Sequence, residues 1–393
     1  MGKRIIAVVM RDFQSGGCQN QVSLYLKYLN KKKYDIHLFT LVSSPEFPEY
    51  SKDKFSSLPI TIHTIQKKNA KNDILKTCFW LGSELHKIKV DIVISFQWRS
   101  DLILSVTSKL FGFKNIIMTE RGDRVSNQYH LESYRVFMDK LLVVKRPIYF
   151  VANSIKGCQA LKNIGVEDKK IKYIPNGIEF DCTTKKIRTE LSDYLSVKKN
   201  KGYFIFGFVG NFKSMKGHLN LIDAVAEIVK KQYNKFIICC VGDGDLRRQV
   251  EEKIARNNLH DFFVFSGNQS NAENIIPYFD CGMMLSETEG FPNVLLEYSK
   301  YLVPILSTNV GNVPIMFQNN KDALLFDYGN HDQLVEKILY ILDNKDILNV
   351  VAHNAYEKTN SLYNIKEVVR QYEDLFDEII YKKNENWNRY IFF

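Results

Sequence analysis

Two doubly wound parallel-sheet domains of the α/β class are predicted by three features of this sequence. Short runs rich in Val, Ile and Phe alternate with amphipathic helical stretches along nearly the whole chain. Several of these runs, such as 205–209 and 236–241, are apolar throughout, as strands buried on both faces are. The strand-and-helix series occurs twice, with a polar, lysine-rich stretch between, and 393 residues suffice for two cores.

The first series opens with a strand over 4–10. Its basic start and apolar run are too short for a secretory leader, because Arg11-Asp12 ends the run and no cleavage-like stretch follows. Ser15-Gly16-Gly17 then opens a helix to Asn30 with Val22, Tyr25, Leu26 and Leu29 on one face. Strands follow at 35–42, 91–97, 115–120 and 148–153, and Ser154 caps a helix that Gly165 ends. Pro175-Asn176-Gly177 is a turn, and 181–201, polar and without an apolar period, reads as the linker. The second series places strands at 204–209, 236–241, 262–266, 282–286 and 303–307, with helices at 219–231 and 245–257 among the connections. From His331 the pattern is helical only, and 384–393 is an aromatic, basic tail. The expected organisation is therefore a domain over 1–180, a linker over 181–201 and a domain over 202–360. A terminal helix and tail over 361–393 is expected to pack back toward the first domain.

With 45% apolar and 25% charged residues the composition is that of an ordinary globular protein, and the apolar runs are strand-sized, so no membrane span is expected. Seven cysteines, odd in number and without a C-x-x-C, suit a reducing compartment and point to the cytoplasm. Charge is uneven: residues 1–200 hold 34 Lys and Arg against 19 Asp and Glu, whereas the remainder holds 20 against 25. The basic half is either a solvated lysine-rich surface or a face that meets something anionic, a membrane surface above all. No recognition helix, zinc finger or aromatic-sheet motif accompanies it, so no nucleic-acid partner is expected.

Three segments can carry chemistry. S-E-T-E-G-F-P-N-V-L-L-E (286–297) puts Pro292 at the start of a helix that follows a strand, with Asn293 and Glu297 on one face of it. A phosphate can sit at such a helix start, Glu297 can accept from the two hydroxyls of a ribose, and Glu289 from sugar hydroxyls. Spacing alone favours a surface-loop Glu289 and a solvated Glu297. G-N-F-K-S-M-K-G (210–217) follows a buried strand and opens a helix, so Lys216, and second to it Lys213, can face a diphosphate. Gly16-Gly17 either lets the backbone approach a ligand or is a flexible loop; it is not G-x-G-x-x-G, the nicotinamide signature.

E-G-F-P-N-V-L-L-E, with seven residues between its glutamates, resembles the E-x7-E motif of retaining glycosyltransferases of family GT4, which have the GT-B fold. The flanking segments agree in order: Gly16-Gly17, I-P-N-G-I-E (174–179), V-G-N-F-x3-K-G, V-G-D-G-D-L (241–246) and V-P-I-L-S-T-N-V-G-N (303–312). The resemblance implies two Rossmann-like domains across a cleft, with a nucleotide sugar, expected to be a UDP sugar, on the second domain and a glycan acceptor entering from the first. It implies that Glu297 holds ribose and Glu289 the donor sugar, and that the turn at Gly290 and Pro292 and the backbone of Phe291, Asn293, Val294 and Leu295 line phosphates and sugar. Lys216 would hold the diphosphate, and Gly16 and Gly17 would close on it. Similarity to exopolysaccharide, capsule and O-antigen enzymes implies a lipid-linked acceptor reached by peripheral contact with the inner face of the cell membrane; a soluble small-molecule acceptor, or a non-catalytic nucleotide-sugar-binding subunit, is the alternative.

Three departures from the family pattern stand out. Asn211 occupies the place of a usual arginine, leaving the diphosphate short of one charge unless Lys213 or a basic residue of the first domain supplies it. T-E-R-G-D (119–123) replaces a T-x-H arrangement and resembles S-E-R-type segments, which implies that Glu120, Arg121 and Asp123 lie on the acceptor side, with Arg121 joining Glu289 and Lys216 in catalysis. Gly311-Asn312-Val313-Pro314-Ile315 lacks the usual acidic residue. Asp243-Gly-Asp245 has the form of a metal-binding D-x-D, but the family has a metal-free glycine loop there, and no metal or other cofactor is expected. Without an enzyme nucleophile, the reaction would be driven by stabilising the departing nucleoside diphosphate.

Overall fold

The computed structural model describes residues 2–13, 16–42, 52–65, 74–122, 124–125, 133–147, 149–180, 189–269 and 272–389, with side chains for all of these except 52–53 and 382–389. The chain divides into two compact units, residues 1–179 with 365–393, and residues 180–364.

The first unit is built on seven parallel strands, β1 (Arg4–Met10), β2 (Tyr34–Thr40), β3 (Thr61–Thr64), β4 (Ile92–Phe96), β5 (Ile116–Glu120), β6 (Tyr149–Ala152) and β7 (Ile171–Tyr173), in the order β3-β2-β1-β4-β5-β6-β7. The β1 residues Ile6, Val8 and Met10 point into one core with Val22, Tyr25 and Leu26 of helix Gly17–Tyr28. Ala7 and Val9 alternate into the opposite core, as the period of two requires for a strand covered on both faces. The final helix, Ile365–Arg389, enters the first core through Ile365, Val368, Val369, Tyr372, Leu375, Phe376 and Ile379, an i, i+3, i+4 stripe.

The second unit repeats the winding with β8 (Phe204–Val209), β9 (Phe236–Val241), β10 (Phe263–Gly267), β11 (Cys281–Met284), β12 (Ile305–Thr308) and β13 (Leu324–Phe326), in the order β10-β9-β8-β11-β12-β13. In both sheets the strand order reverses beside the first strand, between β1 and β4 and between β8 and β11. Such a switch point opens a crevice outside the carboxyl ends of the strands.

Three strands escape the sequence pattern: β3, β7 and β13. Each is an edge strand of three or four residues, too short for an alternation to register. Of the stretch read as a linker, 181–188 lie outside the described residues. Glu190–Asn200 is a helix of the second unit, started by a capping box in which Thr189 and Ser192 bond reciprocally. Among the described residues the cysteines are free thiols, and Cys78, Cys239, Cys240 and Cys281 are buried as small core residues.

Candidate functional site

The switch point of the second unit is where the sequence-predicted residues converge. After β8 the chain reads Gly210-Asn211-Phe212-Lys213. Phe212 is buried and is pinned on both sides, its N–H donating to Asp243 O (3.0 Å) and its carbonyl accepting from Leu246 N (3.0 Å). Asn211 and Lys213 remain exposed on this loop. A 3-10 turn, Ser214–Lys216, ends at Gly217, where φ is 80° and a Cβ would lie 2.3 Å from the Leu285 carbonyl oxygen. Only glycine permits that approach, and it brings Lys216 against the loop that follows β11. The same two loops are tied by Glu287 N donating to Met215 O at 2.7 Å.

Gly217 also starts helix His218–Lys230, with no side chain capping its first turn. His218 is stacked between Phe208 (4.3 Å) and Phe212 (4.1 Å). Burial, reinforced by the nearby Lys216 charge, holds its imidazole down at about 4, so the ring is neutral at neutral pH.

The loop after β11 carries Glu289. Its Oε1 accepts from Lys216 Nζ at 2.5 Å and from Ser286 Oγ at 2.7 Å, with Lys216 26% and Glu289 16% exposed. Ser286 is itself fixed, its carbonyl accepting from Thr308 Oγ1 at 2.7 Å. On the other side Gly311, at φ 60°, passes so close that a Cβ there would sit 1.9 Å from Glu289 O. Glu289 is thus held by the loops after β8 and β12 as well as by its own.

Pro292 then caps helix Asn293–Lys300 without a side-chain bond, as the sequence predicts for this turn. Phe291 is buried edge-on against Tyr363 at 5.5 Å, and Leu295 is buried. Asn293, Val294 and Glu297 are half-buried, and Asn293 and Glu297 share a face by their spacing of four. Tyr298 seats the helix on the sheet: its hydroxyl accepts from Val209 N (3.1 Å) and lies 3.2 Å from the Gly207 and Met283 carbonyls, to which it can donate. Two helix N-termini, one ammonium and one carboxylate therefore come together at the ends of adjacent parallel strands β8 and β11. Helix N-termini carry partial positive charge and unpaired N–H groups, so the arrangement can hold an anion beside a hydrogen-bonding carboxylate. Asp243 and Asp245, on the loop after β9, are exposed, and Asp243 Oδ1 accepts from Gly244 N at 2.7 Å.

The sequence-predicted residues of the first unit fare differently. Gly16 precedes helix Gly17–Tyr28 in an extended conformation with no side-chain cap, and Gly17 is exposed. Ser15 and Asp123 lie outside the described residues. Glu120, expected on an open acceptor side, is instead fully buried. Its Oε1 accepts from Gly122 N (2.6 Å) and Arg124 N (3.2 Å), and its Oε2 pairs with Arg124 Nη1 (3.0 Å). Arg124, which sequence reading passed over, also binds Asp101 (2.9 Å) and Asp139 (2.7 Å), all fully buried. Burial pushes the Asp101 carboxyl up to about 8 against the pull of Arg124. Glu120 belongs to this cluster because an unpaired carboxylate at the end of a buried strand would be prohibitively costly. Arg121 donates to Tyr25 OH (3.1 Å), Asn176 Oδ1 (2.6 Å) and Tyr372 OH (2.5 Å). Its guanidinium lies over the Phe96 ring at 5.2 Å, and no carboxylate pairs with it among the described residues.

Two family models match the chain: glycosyltransferase family 4 over residues 15–181, and glycosyl transferases group 1 over residues 195–358. Among curated relatives, the N-acetyl-α-D-glucosaminyl L-malate synthase of Bacillus anthracis is 24% identical over 54% of this chain and 55% of its own. The matched part thus spans about half of that relative. The capsular polysaccharide biosynthesis glycosyltransferase CapM of Staphylococcus aureus is 22% identical over 90% of this chain and 93% of its own. The crystal structure of Anabaena Alr3699/HepE in complex with UDP and glucose superposes with a TM-score of 0.79 at 16% identity, covering 95% of this chain and 100% of that one. At that identity the likeness is one of fold.

Proposed function

Because the chain belongs to glycosyltransferase family 4 and has the GT-B fold, we propose that it transfers a hexose or N-acetylhexosamine from a UDP sugar to a glycan acceptor in surface polysaccharide synthesis, with retention at the anomeric carbon. The observation that carries this reading is the convergence of Lys216, Glu289 and the starts of helices His218–Lys230 and Asn293–Lys300 at one switch point. In it the diphosphate takes Lys216 and the helix starts, with Lys213 on the same loop adding charge where Asn211 brings none. Glu297 receives the ribose hydroxyls, and Glu289 those of the sugar. As the anomeric bond to the diphosphate breaks, negative charge grows where the ammonium and the helix starts are aimed, and donors so placed are worth roughly 3 kcal/mol each. That supply of positive charge is the reason for proposing a reaction without metal, and activity in the presence of a chelator is the corresponding check.

CapM's name supports a capsule-type glycan as the product class. A lipid-linked acceptor at the cytoplasmic face of the membrane fits the basic first half, and no helix among the described residues is long and apolar enough to cross a membrane. The Bacillus anthracis relative, named for a glucosaminyl malate, favours a small soluble acceptor as the second reading.

A thermal-shift panel of nucleoside diphosphates and nucleotide sugars tests the donor, with UDP and one UDP sugar expected to stabilise most. Lys216→Ala and Glu297→Ala are each expected to lower donor affinity or turnover by at least about tenfold, equivalent to about 1.4 kcal/mol. Kinetics like those of the unaltered protein in both variants would overturn the assignment. Donor hydrolysis or transfer by the purified protein separates an enzyme from a binding subunit.

A further inference from the structure

The first unit carries an apolar surface that its own packing does not use. Helices Ile74–Lys87 and Trp98–Phe111, helix Ser133–Met138 and the π-helical turn Asp139–Val143 cover the face of the sheet opposite helix Gly17–Tyr28. They lie side by side, with Trp98–Phe111 in the middle. Cys78 Sγ reaches Ile103 O (3.6 Å) on one flank, and Trp98 donates to Asp139 (3.0 Å) and meets Tyr134 edge-on (6.4 Å) on the other. Toward solvent these elements present Ile74 and Leu75 (63% exposed each), Phe79 (56%), Leu110 (51%), and Phe137 and Leu141 (61% each). Single exposed apolar residues are ordinary, but six large ones on neighbouring elements of one layer form the kind of surface that marks a partner.

The charge on the same layer identifies that partner. Among the described residues of 92–147 there are three carboxylates, Asp101, Glu120 and Asp139, and all three are fully buried around Arg124. Of the nine cations of this stretch, Arg124 is buried and Arg121 and Arg135 are half-buried, while Arg99, Lys109, Lys114, Lys140, Lys145 and Arg146 are exposed. On helix Ile74–Lys87, Glu84 is half-buried and taken by Lys87 (2.6 Å) and His63. With these three acids drawn inward onto one guanidinium, the outer face formed by the described residues of the layer is apolar and cationic. Bulky side chains that enter the headgroup boundary, set among Lys and Arg at phosphate level, are what an anionic bilayer binds.

We propose that this helical layer of the first unit docks the protein on an anionic lipid surface. The inference gives a surface to the membrane contact proposed above and rests on that reading. It needs no spanning segment, because the apolar residues sit on the exterior of packed helices and enter only the interface.

Co-sedimentation of the full chain with vesicles tests it. Phosphatidylcholine vesicles containing phosphatidylglycerol are expected to bind the protein, salt is expected to weaken the binding, and vesicles of phosphatidylcholine alone are expected to leave the protein in solution. Phe79→Glu/Phe137→Glu/Leu141→Glu, and separately Lys109→Glu/Lys140→Glu/Lys145→Glu, are expected to lower the partition coefficient at least about tenfold, since each basic residue near such a surface contributes about fivefold. Lys230→Glu/Lys235→Glu/Lys321→Glu, an equal charge change on exposed residues of the second unit, is expected to leave it unchanged. Circular dichroism and UDP affinity serve as fold controls. Undiminished vesicle binding in both face variants, or an equal loss in the second-unit variant, would overturn this surface while leaving the membrane reading intact. A protein that binds UDP but no anionic vesicle would overturn the membrane reading itself. Equal binding to neutral vesicles would overturn the electrostatic argument.

Discussion

Glu289→Gln separates the two roles that the Lys216–Glu289 pair combines. In the structure the ammonium that should hold the diphosphate is occupied by a carboxylate at 2.5 Å, with both side chains mostly covered. A donor that takes Lys216 must displace that carboxylate, and its own negative charge is repelled by it. Unit charges 4 Å apart interact by about 4 kcal/mol at an effective dielectric of 20, an upper bound that partial exposure and the hydration of the separated groups reduce to about 1–2 kcal/mol. Glutamine keeps the volume of Glu289 and its acceptor for Ser286 Oγ, but removes the charge. UDP, which has no sugar to need Glu289, is therefore expected to bind Glu289→Gln about tenfold more tightly, a gain of about 1.4 kcal/mol. Sugar transfer is expected to slow by at least about tenfold, because a carboxylate bonds a hydroxyl more strongly than an amide does. Titration calorimetry with UDP on the unaltered protein, Glu289→Gln and Lys216→Ala gives the comparison. If Glu289→Gln binds UDP no more tightly while Lys216→Ala loses affinity, the pair is not what the donor displaces, and the reasoning fails.

Gly311→Ala places a Cβ 1.9 Å from Glu289 O at a positive φ. It is expected to shift the Glu289 loop, slowing transfer at least about tenfold at a stability loss of roughly 1–2 kcal/mol; full activity in a steady-state assay would refute the bracing role. His218, depressed to about 4 from 6.5 by burial and then by Lys216, stays neutral when the unfolded chain takes up a proton. Its contribution is present in full above pH 6.5 and is lost as pH falls toward 4, by about 3 kcal/mol. His218→Phe is expected to flatten the urea midpoint across that window, and parallel pH profiles would count against it. Arg124→Met leaves three buried carboxylates without the guanidinium that joins them. It is expected to cost roughly 3–5 kcal/mol in denaturant unfolding, and an unchanged midpoint would show that the cluster is not structural.

Much of the second unit was legible in the sequence because its signals are local. Apolar strands next to amphipathic helices announced the parallel sheet, and Gly290-Phe291-Pro292-Asn293 announced a helix start that the structure places at Asn293. β3, β7 and β13 were not legible, since edge strands of three or four residues carry no period. In the first unit, the resemblance puts Glu120 of the T-E-R-G-D segment on the acceptor side, whereas the structure buries it. The sequence signal for the burial of Glu120 is Arg124, an arginine four residues later in a stretch whose carboxylates have to be neutralised if they are buried.

By itself the sequence determined the longer strands, the twofold repetition of the winding, and which residues stand at strand-to-helix turns, because period, proline and glycine act within a few residues. Tertiary structure decided which turns meet. Lys216 and Glu289, 73 residues apart, touch because β8 and β11 are neighbours in the sheet. Glu120 faces inward because Asp101, Arg124 and Asp139 close around one another. The final helix joins the first core because its apolar stripe fits the face beside helix Gly17–Tyr28. Each of these outcomes depends on strand order and on burial of charge, which are set by free energies summed over the whole chain rather than by any short segment of it.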